Sequence, residues 1–193
     1  MTKLLLVRHG ETDWNLGSRF QGHADPPLND TGRTQARELA ATLAGRTLDA
    51  IYSSPLRRAF ETAEIIAAPH GLEPAPVDGL REVDVGGWQG LTRDEIEERF
   101  PEQYRRWLDF GEGWDGGETY EEMGRRVVRT LLDLAREHQG ETILCVTHGG
   151  PIRAAFASAS GISHSDARRN GPRIGNCFTA EFAPEHDALR QLD

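Results

Sequence analysis

Arg8-His9-Gly10-Glu11-Thr12 follows directly on the apolar run Leu4-Leu5-Leu6-Val7. An imidazole can attack an electrophile or carry a proton near neutral pH. A guanidinium is a permanently charged fork of donors that matches phosphate or carboxylate oxygens, and glycine lets the backbone turn away and a ligand come close. Two further segments have the same makeup: Ser53-Ser54-Pro55-Leu56-Arg57-Arg58 after Ala50-Ile51-Tyr52, and Thr147-His148-Gly149-Gly150 after Thr142-Ile143-Leu144-Cys145-Val146. Each sets a basic side chain at the end of a short apolar run, beside a Gly or Pro turn. Taken alone, the first segment fits a strand cap with Arg8 paired to a surface carboxylate as well as it fits a reactive centre, because short motifs recur by chance.

The elements that carry these segments decide between the two. Apolar runs of three or four residues at these places fit short strands buried on both faces of a sheet. Between them lie helical periods: Ala36, Leu39, Ala40 and Leu43 within Thr31 to Gly45; a helix opened by Ser54 as N-cap and Pro55 as first residue; and Met123, Val127, Leu131 and Leu134 after the capping box Thr119-x-x-Glu122. A second capping box, Thr92-x-x-Glu95, opens a polar helix that Pro101 breaks or restarts, a further helix runs to Ala159, and a last strand is expected around Phe178 to Phe182. Strands alternating with helices of ten or more residues predict an α/β fold, three-layered as α/β/α, with a mostly parallel or mixed central sheet. Residues 79–117, rich in Gly and Trp, read as a small lid insertion within one domain spanning 1–193. Adjacent parallel strands are ~4.8 Å apart, so three such strand ends can bring two arginines and two histidines into one pocket, together with the positive ends of helices. That combination describes a phosphate site.

Composition narrows the partners. The 193 residues include 37% apolar and 27% charged residues, as expected of a folded soluble chain. The net charge of −9 and pI of about 5.3 argue against a nucleic-acid surface, although a few convergent arginines can still hold a small anion. Cys145 and Cys177 read as core thiols of a reducing compartment. The apolar run at the N-terminus is too short for a signal peptide and no stretch approaches a membrane span, so the expected location is cytoplasmic, without membrane association.

Four ordered motifs, namely Arg8-His9-Gly10-Glu11-Thr12, Ser53-Ser54-Pro55-Leu56-x-Arg58-Ala59-x-x-Thr62-Ala63, Glu82 ahead of Gly87-Trp88-x-Gly90, and Thr147-His148-Gly149-Gly150, together resemble the histidine phosphatase superfamily, also called phosphoglycerate-mutase-like. The resemblance implies that His9 is a nucleophile that becomes a phosphohistidine. Arg8 and Arg58 clamp the phosphoryl group, and as like charges they favour a neutral His9. His148 stabilises charge in the transition state, with Gly149 beside it. Glu82 is implied as proton donor to the leaving oxygen, with Glu11 and Asp84 as rival carboxylates. Asn15, Gln21 and Gly22 occupy the family's loop near the phosphate. Arg57 is expected to point to solvent, Trp14, Phe20 and Trp88 either line the substrate mouth or pack, and the remaining histidines carry no motif. His164 and the Arg168-Arg169 pair lie beyond the motifs, where a substrate contact is open but has no motif behind it.

No HxxH or HExxH spacing supports a metal site, and the resemblance implies no cofactor. The short segment after Glu82, Gly86-Gly87-Trp88-Gln89-Gly90-Leu91, resembles the phosphatase branch. The expected activity is therefore metal-independent hydrolysis of a small phosphorylated metabolite, with a bisphosphoglycerate-dependent phosphoglycerate mutase and a catalytically silent phospho-ligand-binding module as rivals. If the chain assembles, a homodimer is the default.

Overall fold

The computed structural model describes residues 1–111 and 113–192. Six strands form one mixed sheet: β1 Lys3–Arg8, β2 Ala50–Ser53, β3 Ala75–Pro76, β4 Thr142–Thr147, β5 Thr179–Glu185 and β6 Ala188–Gln191, in the spatial order β3-β2-β4-β1-β5-β6. The pairings β1–β4, β2–β4 and β2–β3 are parallel, whereas β1–β5 and β5–β6 are antiparallel. The helices are α1 Asp13–Leu16, α2 Asp30–Leu43, α3 Arg57–Ala67, α4 Arg93–Arg99, α5 Pro101–Phe110, α6 Tyr120–Glu137, α7 Gly149–Ser160 and α8 His164–Asn170.

The uninterrupted apolar strands make sense because both sheet faces are covered. Leu5, Val7, Leu144 and Val146 pack with Ala40, Leu43, Ala63 and Ile66 of α2 and α3. Leu4, Leu6, Ile143 and Cys145 face the other way, into a core with Met123, Val127 and Leu131 of α6 and Ile152 and Ala155 of α7. The fold is thus the three-layer α/β/α arrangement. Both predicted capping boxes form, Thr92 with Glu95 and Thr119 with Glu122, and Pro101 restarts the chain as α5. Residues 83–114 add aromatic weight to the α6–α7 core through Trp88, Trp107 and Trp114, whose rings meet edge-on with centroids 6.0 and 5.4 Å from that of Trp88. Among the described residues no helix is long and apolar enough to cross a membrane.

Three expectations need correction. Ser54 does not cap α3: that helix begins at Arg57, and its N-cap position, Leu56, makes no side-chain cap. The Ser54 hydroxyl accepts from the Leu56 N–H at 3.4 Å, ahead of the helix, and lies 2.8 Å from His148 Nε2. The C-terminal segment holds more than one strand, because β5 turns back at His186 (φ +55°) and pairs with β6. Between α7 and β5 lies α8, capped by Ser163; seven residues with few apolar positions left no period to read in the sequence.

Candidate active site

Sheet register explains why distant segments meet. Arg8 pairs with Thr147 and Ser53 with Val146, so His9, Ser54 and His148 leave three adjacent parallel strands at one level. The His9 N–H continues the ladder to Thr147 O at 3.0 Å, and the Ser54 N–H does so to Val146 O at 2.9 Å. The carboxyl ends of parallel strands are where open α/β sheets bind ligands. Here a cavity of about 180 Å³ opens, lined among others by Arg8, His9, Asn15, Gln21, Gly22, Arg58 and Glu82.

His9 is buried, and its Nδ1 lies 2.7 Å from its neighbour's carbonyl, Gly10 O. A carbonyl only accepts, so Nδ1 carries the ring proton and Nε2 keeps its lone pair free. Burial, reinforced by Arg58 and Arg8, holds His9 well below the usual imidazole range. At neutral pH the ring is therefore uncharged, with the Nε2 lone pair open to the cavity. Gly10 earns its place by packing as well as by turning: a Cβ there would collide with the backbone of Gly32 at the start of α2.

Arg58 is fully buried, with Nη1 donating to Ala24 O at 2.7 Å and Nη2 to Gly22 O at 2.9 Å. Burial pushes it down to about 10, against the pull of Glu82 and Asp25, so it stays charged at neutral pH. Its Nε is buried without a partner. Arg8 Nη1 donates to Ile174 O at 2.8 Å. These carbonyl contacts aim both guanidinium groups without neutralising them, which leaves their charge for an anion. Arg57 is exposed.

Glu82 is the only carboxylate lining the cavity among the described residues. Its Oε1 accepts from the Val83 N–H at 2.9 Å and its Oε2 from the Gly150 N–H at 3.2 Å. A side chain at position 150 would overlap the carboxylate. Around it the chain is pinned by Thr147 Oγ1 donating to Leu80 O at 2.6 Å, by His23 Nε2 at 2.8 Å from Glu82 O, and by Arg126, which donates to the carbonyls of Gly79 and Arg81. The rival Glu11 instead accepts from Asn29 Nδ2, and Asp84 from the Gly86 N–H.

Asn15 closes a capping box with Thr12, its Oδ1 accepting from the Thr12 N–H at 3.1 Å and from Asn176 Nδ2 at 3.3 Å. That leaves Nδ2 as the free donor of the amide. Gln21 Oε1 accepts from Thr12 Oγ1 at 3.2 Å. His148 and Gly149 do not line the cavity. His148 is fully buried and meets His9 edge-on, with ring centroids 5.1 Å apart, and burial followed by Arg58 holds it well below the usual range.

The structure also brings in residues for which the sequence offers no motif: Arg19 and Phe20, Tyr120 at the start of α6, Arg153 on α7, and His164 and Arg168 on α8. Of these, Phe20, His164 and Arg168 stand open in the sequence as mouth or substrate contacts, whereas sequence reasoning misses Arg19, Tyr120 and Arg153. For Arg153 the available signal is its place four residues after Gly149, since a helix leaving a strand end keeps its first turns near that end.

The model of the histidine phosphatase superfamily (branch 1) matches residues 4–192. The chain is 39% identical over 167 residues to phosphoserine phosphatase 1 of Hydrogenobacter thermophilus, covering 86% of this chain and 79% of that one. It belongs to the histidine phosphatase superfamily. Among solved structures, Bacillus stearothermophilus YhfR superposes with a TM-score of 0.92 at 30% identity, over 99% of this chain and 95% of that one. A phosphoserine phosphatase mutant from Entamoeba histolytica, in complex with phosphoserine, superposes with a TM-score of 0.86 at 31% identity, over 100% and 96%. This histidine phosphatase is accordingly an enzyme of the phosphate-ester-hydrolysing class, on the phosphoglycerate-mutase-like fold.

Proposed function

We propose that the protein hydrolyses a small phosphomonoester in two metal-free steps, through a phosphohistidine on His9. The observation that carries this reading is the contact of His9 Nδ1 with Gly10 O at 2.7 Å, which leaves Nε2 unprotonated in a cavity shared with Arg8, Arg58 and Glu82. In the first step the Nε2 lone pair attacks phosphorus in line and the P–O ester bond breaks. The departing oxygen takes a proton from Glu82. In the second step Glu82 takes a proton from water as its oxygen attacks phosphorus, the P–N bond breaks, and phosphate leaves with His9 neutral again. Splitting one hard displacement into two is the advantage of covalent catalysis.

Arg8 and Arg58 supply the fixed positive charge that a metal supplies elsewhere, with Asn15 Nδ2 as a further donor and Gln21 and Gly22 shaping the loop that holds it. His148, with its Nδ1 buried and unpartnered, donates to a phosphoryl oxygen once the group sits against His9. The N-terminal end of α7, whose Gly150 N–H holds Glu82, adds its positive dipole end beside the site. Residues 1–193 act as one catalytic domain, in which the 79–117 segment forms a wall through Glu82, Val83 and Val85.

The test is release of phosphate from p-nitrophenyl phosphate with a chelator present, alongside acid-labile labelling of the protein by a radioactive phosphoryl donor. His9→Ala is expected to lose both. Activity that needs added metal, or a label that survives the substitution, overturns the reading; conversion of 3- to 2-phosphoglycerate without phosphate release assigns the mutase instead.

A further inference from the structure

Charge in the cavity is out of balance. Five arginines line it, Arg8, Arg19, Arg58, Arg153 and Arg168, against the single carboxylate of Glu82. Arg19 is paired with Glu95 at 2.8 Å. Arg8 and Arg58 face the phosphoryl group in the proposed reaction. Arg153 and Arg168 have no carboxylate partner among the described residues. Arg153 makes no hydrogen bond there either, and Arg168 is held by Trp107, through its carbonyl at 3.1 Å and its ring face at 4.6 Å.

Arg153 lies close enough to the other basic groups of the cavity to act on them: it lowers the pKa of Arg8, of Arg168 and of His164. His164 lines the same cavity, is 6% exposed, and stacks on Tyr120 with ring centroids 4.6 Å apart. Both of its ring nitrogens are buried without a partner, and so is Arg168 Nε. Native proteins leave few buried polar groups unsatisfied, and three such atoms at one wall mark a place for a ligand that accepts hydrogen bonds. Burial, then Arg153 and Arg168, push His164 down to about 4, so the ring is neutral and has one N–H to give.

We propose that Arg153, His164 and Arg168 form a second anion subsite, which binds a carboxylate on the non-reacting half of the phosphomonoester. The substrate class becomes short phosphorylated acids, matched to a cavity of about 180 Å³. The guanidinium groups receive the carboxylate oxygens and His164 donates to one of them. The phosphoryl end is held independently by Arg8 and Arg58. This rests on the phosphatase reading for its chemistry, but not for the binding itself.

The experiment compares 3-phosphoglycerate with glycerol 3-phosphate, which differ by a carboxylate against a hydroxymethyl group. The wild type is expected to favour the acid by at least about tenfold in kcat/KM, and Arg153→Gln to bring the ratio near one, chiefly through KM. Arg153→Lys, which keeps the charge and loses the fork, retains part of the preference. Because each protein is judged by its own ratio, a general loss of activity cancels. In parallel, calorimetry measures phosphonoacetate against methylphosphonate, neither of which can be hydrolysed. A ratio near one in the wild type, or an unchanged ratio in Arg153→Gln, overturns the subsite. If the wild type hydrolyses neither ester, the proposed activity fails while the phosphonate ratio still decides the subsite.

Discussion

The Ser54 hydroxyl lies 2.8 Å from His148 Nε2, joining the ends of β2 and β4 across 94 residues. If the hydroxyl donates, the ring proton sits on Nδ1, the nitrogen left buried without a partner and free to meet a phosphoryl oxygen. Ser54→Ala is expected to lower kcat by about fivefold, matching one hydrogen bond of ~1 kcal/mol. His148→Ala removes the donor itself and should cost roughly 10²–10³-fold. Steady-state kinetics on p-nitrophenyl phosphate measure both. A Ser54→Ala enzyme as fast as the wild type would show that the hydroxyl does not set the tautomer.

Glu82→Gln keeps the shape of the carboxylate that accepts from Val83 and Gly150 and removes its proton chemistry. Nitrophenolate leaves without help, whereas an alkoxide does not. The substitution should therefore slow an alkyl phosphate by about 10²–10⁴-fold and p-nitrophenyl phosphate much less. Equal slowing of both substrates, measured as single-turnover rates, removes Glu82 from the role of proton donor.

Gly22 has φ +51°, and a Cβ there would lie 2.7 Å from Val85 Cγ2. Its carbonyl is one of two that hold Arg58. Gly22→Ala should destabilise the fold by about 1–3 kcal/mol through backbone strain and crowding, and raise KM by letting Arg58 shift. Urea unfolding and kinetics read the two effects separately; an unchanged midpoint with unchanged KM would contradict the geometry.

Three buried imidazoles, those of His9, His148 and His164, are held below the usual range. The unfolded chain binds their protons as pH falls through about 6.5, and the folded protein does not. Stability is therefore full above that pH and declines below it, by up to about 1.4 kcal/mol per pH unit for each imidazole. For His164 the decline continues towards its folded value of about 4. Unfolding free energies between pH 7.5 and 5 test this, and His164→Phe, which keeps a ring stacked on Tyr120, should flatten the slope by about one proton. An unaltered slope would mean that His164 is already protonated in the folded state.

Much of this molecule was legible in the linear chain because its signals are local. Apolar runs too short for helices, two capping boxes and the Gly and Pro turns beside Arg8, Arg58 and His148 depend on neighbours within a few residues, and they specified strands, helices and the strand ends at which a phosphate could sit. The β5–β6 hairpin and α8 escaped because their patterns are short and mixed. The register of β1, β2 and β4 is a long-range choice, and it decided that His9, Ser54 and His148 share one level. The same holds for the wall of Arg153, His164 and Arg168: these residues sit on helices packed against each other, and no spacing along the chain encodes which side chains two packed helices turn into a common cavity.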